Sequence, residues 1–111
     1  MNTLKYSLEY RCYPIWNYDQ AGELVDNDLP DELRADTELD SLLLQLQELF
    51  DALFVDTPKE FSTHGFLTEA KRQEFLNLLF ASKELLCQRY GAEYHIECKY
   101  TLDSFTLDTE R

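Results

Sequence analysis

The sequence predicts an α+β fold: a small antiparallel sheet formed by N- and C-terminal strands and a hairpin, with two helices packed on one face. Three observations predict it. Apolar residues alternate with polar ones near both ends of the chain, at residues 4–12 and 94–102. Between them lie two stretches whose apolar residues recur every three or four positions, the spacing of an amphipathic helix. Each such element has one apolar side to bury, and a layer of helices on one sheet buries all of them together. With 111 residues the chain has the size of one domain with one core, so 1–111 reads as a single unit.

Strand and hairpin span 3–25. Leu4, Tyr6, Leu8, Tyr10 and Cys12 alternate with Lys5, Ser7, Glu9 and Arg11, which predicts one buried face. Pro14 has no N–H for a ladder and should end that strand or mark a bulge. Ile15–Tyr18 and Glu23–Val25 flank Asp19-Gln20-Ala21-Gly22, where Asp first and Gly last fit a type I turn with Gly22 at positive φ. An acidic loop covers 26–36. Helix 37–55 follows, capped by Asp36 or Thr37, with Glu38 and Asp40 where the helix dipole favours anions. Its stripe is Leu39, Leu42, Leu43, Leu46, Leu49, Phe50 and Leu53, and Pro58 lies beyond its end. Lys59 to Gly65 reads as a plain connection. Helix 68–90 starts at Thr68 and buries Ala70, Phe75, Leu78, Leu79, Leu86 and Tyr90, with Leu76, Phe80 and Leu85 widening that side and Gly91 as a left-handed C-cap. Strand 93–102 is the cleanest alternation, Tyr94, Ile96, Cys98, Tyr100 and Leu102 against His95, Glu97, Lys99 and Thr101. A turn at Asp103-Ser104 into a short strand at Phe105–Leu107 is one reading of an ambiguous phase, and 108–111 read as a frayed tail.

Charge is the outlier. Twenty-two acids face ten bases, a net charge of −12. Residues 19–60 hold 13 acids against Arg34 and Lys59. Phosphate neutralisation needs Lys and Arg, so direct nucleic-acid binding is disfavoured, as is an anionic membrane surface. No uncharged apolar run approaches the ~20 residues of a membrane span, and the first residues lack a signal-peptide pattern. Three cysteines without close spacing point to free thiols in a reducing cytosol. Cytoplasmic location is therefore expected. Crowded acid opposes the compact state by self-repulsion. Two readings stand: a solvated face that keeps the chain soluble, or a docking surface for a basic partner, where complementary potential speeds encounter.

Chemistry-bearing constellations are sparse. Three dispersed glycines make no phosphate-cradling loop. His64, His95, Cys12, Cys87 and Cys98 stand at no zinc-type spacing, so no metal and no cofactor is expected. Cys12 and Cys98 read as small core residues. A Cys–His pair such as His64 with Cys87 would need a spatial meeting that the sequence does not supply, so no catalytic residue is assigned and the chain is read as a non-enzyme. Trp16 and Tyr18 share one face by alternation, so both lie under the hairpin or both form interface anchors, residue types enriched in binding hot spots. The candidate partner-binding set is Trp16, Tyr18, Asp19, Asp26, Asp28, Asp31, Glu32 and Asp36.

The run from Tyr13-Pro14-Ile15-Trp16 through Asp19-Gln20-Ala21-Gly22 to Leu29-Pro30-Asp31-Glu32-Leu33 resembles small acidic immunity proteins of bacterial polymorphic-toxin systems, including those of contact-dependent growth inhibition. Leu53-Phe54-Val55-Asp56, Glu60-Phe61 and Gly65-Phe66 extend the resemblance to about residue 100. It implies a cytosolic protein that binds and neutralises one cognate toxin C-terminal domain, often a basic nuclease. The alternatives are a nucleic-acid-mimicking inhibitor of a DNA-processing enzyme and a non-catalytic structural or regulatory interaction module.

Overall fold

The computed structural model describes residues 1–107. The chain runs β1 (Thr3–Tyr6), β2 (Ile15–Tyr18), β3 (Leu24–Asp26), α1 (Thr37–Asp51), β4 (Phe54–Thr57), β5 (Glu60–Thr63), α2 (Glu69–Tyr90) and β6 (His95–Cys98), with short 3-10 turns at Asp31–Leu33 and Leu102–Ser104. The predicted α+β class holds. Four strands form one sheet in the order β3-β2-β1-β6. β1 pairs antiparallel with β2, Leu4 opposite Asn17 and Tyr6 opposite Ile15. The 19–22 turn forms as its sequence predicts. Gly22 sits at φ 85°, and Asp19 Oδ1 accepts from the N–H groups of Ala21 and Glu23.

The sheet is mixed where an antiparallel one was expected, because β6 runs parallel to β1 with Leu4 opposite Ile96. A parallel partner needs a long crossover. Here both helices lie in the segment between the two strands and supply it.

Core packing follows the two helical stripes, except that Ala70 and Phe80 of α2, expected on its buried side, are exposed. Leu39, Leu43 and Leu46 of α1, and Phe75, Leu79 and Leu86 of α2, are fully buried with Leu4, Tyr6 and Ile15 of the sheet. Leu29 and Leu33 turn inward and anchor the acidic loop to this core. One buried polar pair crosses the layers: Tyr6 Oη lies 2.6 Å from Ser82 Oγ, which donates to the Leu79 carbonyl. Burial pushes the Tyr6 phenol above its ordinary pKa.

Several expectations need correction. The strand alternation does not continue to Cys12. β1 ends at Tyr6, and the following loop carries Arg11 at φ 58°. That loop is held by the Gln47 side chain, which donates to the Glu9 carbonyl, and by Asp51 Oδ1, which accepts from the Arg11 N–H. Helix α1 ends at Asp51 rather than 55, and the plain connection of 59–65 holds half of a β4–β5 hairpin. Phe54, Val55, Thr57, Phe61 and Thr63 are aromatic or β-branched, types that suit a pleated strand. The helical spacing of Leu49, Phe50 and Leu53 masks this switch. Strand 93–102 contracts to β6, which leaves Cys98 exposed rather than in the core, while Cys12 is half-buried. Gly91 closes α2 at φ −63°, in the right-handed region. A Cβ there would lie 2.4 Å from the Cys87 carbonyl oxygen, so close approach rather than backbone handedness explains the glycine. At the C-terminal end a 3-10 turn replaces the suggested turn, and Leu107 makes an isolated parallel bridge to Phe66. The frayed-tail reading of 108–111 lies outside the described residues.

Candidate partner-binding surfaces

The sequence places four carboxylates, Asp26, Asp28, Asp31 and Glu32, from the last residue of the edge strand β3 into the segment that leads to α1. The structure gathers them into a ridge. Asn27 fixes its base: Nδ2 donates to the carbonyls of Tyr13 (2.7 Å) and Ile15 (3.0 Å), and Oδ1 accepts from the Tyr13 N–H (3.0 Å). Arg34 holds the crest. Its guanidinium lies 3.3 Å from Asp26, 3.4 Å from Asp28 and 3.0 Å from Asp31. One cation thus serves three carboxylates, and Asp31 keeps its side chain 88% exposed. Glu32 accepts a hydrogen bond from the Tyr94 hydroxyl.

Two other acids of the predicted set are engaged inside the fold. Asp19 organises its turn. Asp36 caps α1 by accepting from the Leu39 N–H, and it also accepts from Tyr90 Oη (2.6 Å) and from Arg89 Nη1 (2.9 Å). Desolvation works to raise the Asp36 pKa, but the Tyr90, Arg89 and Leu39 hydrogen bonds prevail and hold it below its ordinary value. The same contact with Asp36 pushes Tyr90 up to about 12. Asp40, outside the predicted set, accepts from Tyr13 Oη at 2.6 Å. Burial, then the bond to Asp40, raises the Tyr13 phenol above its ordinary range.

Trp16 and Tyr18 do share a face and an environment: both are half-buried. They line a groove of about 560 Å³ with Lys5, Ser7, Glu9, Tyr10, Cys12 and Lys99, and none of the ridge carboxylates lines it. The indole N–H donates to the Ser7 carbonyl at 3.1 Å, and Lys5 Nζ lies 4.3 Å from the Tyr18 ring centroid. The β4–β5 hairpin brings Phe54 and Phe61 against Tyr10, with ring centroids 4.5 and 5.4 Å from the Tyr10 ring. The eight predicted site residues therefore fall into three groups: a carboxylate ridge, two structural acids and an aromatic groove.

Sequence reasoning missed Asn17 and Asn27. Asn27 sits in a run of turn-forming residues, and nothing in its spacing announces three backbone contacts. Asn17 occupies an inward position of β2, and that signal was available: a lone amide on an apolar strand face.

The histidines and cysteines are dispersed. His64 Nδ1 faces the Gly65 carbonyl at 2.8 Å, while Cys87 is an exposed thiol on α2. Among the described residues no group of three or more His, Cys, Asp or Glu side chains is placed to hold a metal ion. No described helix is long and apolar enough to cross a membrane.

A comparison with curated proteins finds no match. The family model described as Serratia CdiI immunity protein-like matches residues 2–100, a span that includes every strand and helix described above. The chain belongs to that family, the immunity proteins of contact-dependent growth inhibition.

Proposed function

We propose that the protein is a non-catalytic inhibitor that neutralises the C-terminal domain of its cognate toxin in the cytosol, and that the toxin is a basic nuclease. The observation that carries this reading is the ridge of Asp26, Asp28, Asp31 and Glu32 with Arg34 as its one cation. A nuclease grips a polyanion and so presents a cationic cleft. A rigid carboxylate ridge is complementary to such a cleft and competes with the substrate for it. Steering by complementary charge raises association to roughly 10⁸–10⁹ M⁻¹s⁻¹, a useful rate for an antidote that must bind before the toxin cuts. Trp16 and Tyr18 contribute in this reading as aromatic anchors on a second contact patch.

The test uses the toxin domain encoded immediately upstream. Isothermal titration should give a one-to-one complex, and added protein should abolish nuclease activity. Replacing Asp26, Asp28 and Asp31 together by Asn keeps side-chain shape and removes three charges. The association rate should fall about tenfold or more at low salt, with a flatter salt dependence. Unchanged association would reduce the ridge to a solvated face, and absence of binding by the wild-type protein would reject the inhibitor assignment.

A further inference from the structure

We infer that the groove of Trp16 and Tyr18, on the sheet face turned away from the helices, receives an acidic segment of the toxin domain, with a carboxylate of that segment held by Lys5 and Lys99. The inference rests on the reading that the protein binds a toxin domain, and it names the chemistry that the second contact patch recognises.

Strand alternation sets the groove on that face. Leu4, Tyr6 and Ile15 turn into the core with the helices, so Lys5 and Trp16, which alternate with them, face the other way. Lys5 stands opposite Trp16 on one neighbouring strand and Glu97 on the other. The Ser7 carbonyl fixes the indole by accepting from its N–H at 3.1 Å. The result is a groove of about 560 Å³ with three aromatic rings in its lining, those of Tyr10, Trp16 and Tyr18.

The charge of this groove is opposite to that of the molecule. Acids outnumber bases 22 to 10 along the chain, so a lysine has carboxylates in abundance to pair with. Lys5 takes none: among the described residues no carboxylate lies within ion-pair distance of it, and its ammonium stands 4.3 Å from the Tyr18 ring centroid instead. Arg11, at the rim, lies 5.3 Å from the Tyr10 ring centroid. A ring face attracts a cation without neutralising it. Lys99 lies 3.1 Å from Glu97. Lys5, Arg11 and Lys99 thus stand against Glu9 and Glu97, a local positive excess on a chain of net charge −12.

That combination specifies the occupant. A carboxylate accepts from both ammonium groups, which carry donors only, while its apolar neighbours cover the rings. A nucleic acid also offers anions and flat bases, but it brings a phosphate at every step toward an acidic molecule and is repelled at long range. A segment of a basic domain is drawn in with the domain as a whole, through the ridge, and presents its carboxylate only at short range. The groove therefore acts on the lifetime of the complex, and the ridge on its rate of formation.

Lys5→Gln combined with Lys99→Gln tests this in the full chain. The changes remove two charges that are not buried and keep most of each side-chain stem, so the melting temperature should hold. In surface plasmon resonance with the upstream toxin domain, dissociation should speed up about tenfold or more while association stays within about twofold of wild type. A second readout needs no variant, and it decides alone if the variant melts early. Zero-length carbodiimide coupling of the wild-type complex, mapped by peptide mass spectrometry, should join Lys5 or Lys99 to an Asp or Glu of the toxin domain. Unchanged dissociation, or a formed complex whose cross-links spare both lysines, overturns the inference and leaves the inhibitor reading standing. So does binding of a labelled single-stranded RNA, or self-association in light scattering, that the two Gln changes abolish, since either names a different occupant. A wild-type protein that gives no signal with the toxin domain rejects the functional reading and this inference with it.

Discussion

Asp36 shows how much one side chain can carry. It caps α1, holds Arg89 in a two-oxygen contact and accepts from Tyr90, so it ties the start of one helix to the end of the other. Replacing it by Ala should cost about 0.5–2 kcal/mol from the lost cap alone. The pH dependence has a definite sign. The folded state holds the Asp36 pKa below its ordinary value. Its contribution is therefore fully present above the unfolded carboxylate value of about 3.9 and is lost as pH falls through the lower folded value. Melting curves of wild type and Asp36→Asn should differ at neutral pH and converge below about pH 4. A constant difference down to pH 2 would show that the charge of Asp36 contributes nothing. At this scale the sequence was partly legible. Asp36 was identified as a cap candidate from its place before a leucine stripe, whereas Arg89 and Tyr90 lie more than fifty positions away and no local pattern links them to it.

Among the elements, the two helices were the most legible and the 54–63 hairpin the least. Leu46 and Leu79 face inward as their spacing predicts, and both are fully buried. Leu46→Ala should cost ~2–5 kcal/mol through the cavity it leaves. Retention of the wild-type denaturation midpoint would show that the stripe does not carry the packing. α2 runs from a Thr68 cap to Tyr90, one residue inside the predicted start. The hairpin was hidden because Leu53-Phe54-Val55 extends the helical apolar rhythm past the point where β-branched and aromatic residues take over. Strand lengths were overestimated at both ends of the chain for a related reason. Tyr10, Tyr100 and Leu8 keep the alternation going, but β1 ends at Tyr6 and β6 at Cys98. Tyr10 and Tyr100 then stack on other aromatics instead of pairing in the sheet, Tyr10 on Phe54 and Tyr100 edge-on to Tyr6.

For the whole molecule, the distribution of charge matters more than its total. A net charge of −12 repels itself, and exposed ion pairs such as those of Arg34 return little stability. In the proposed function the excess steers the partner. Association with the toxin domain should slow steeply between low and physiological salt in the wild-type protein, and less steeply once Asp26, Asp28 and Asp31 are Asn. Stopped-flow measurements across that range would read both slopes, and parallel slopes would count against steering by the ridge. The aromatic groove is a separate patch with Lys5 and Lys99 in its lining, so contact there should depend on salt far less.

The sequence by itself determined the α+β class, the two helices with their N-caps, the 19–22 turn and the concentration of acid in one stretch. These are local properties: side-chain spacing, capping chemistry, glycine at a positive φ and the count of charges need no distant partner to be read. Only the tertiary structure decided that β1 and β6 run parallel, that the carboxylates divide between Arg34 and Arg89, that Trp16 and Tyr18 lie apart from the ridge, and that Asn17 is buried with an empty acceptor. Each of these depends on which residues far apart in the chain come into contact, and that is set by how the two apolar helix faces close over one side of the sheet.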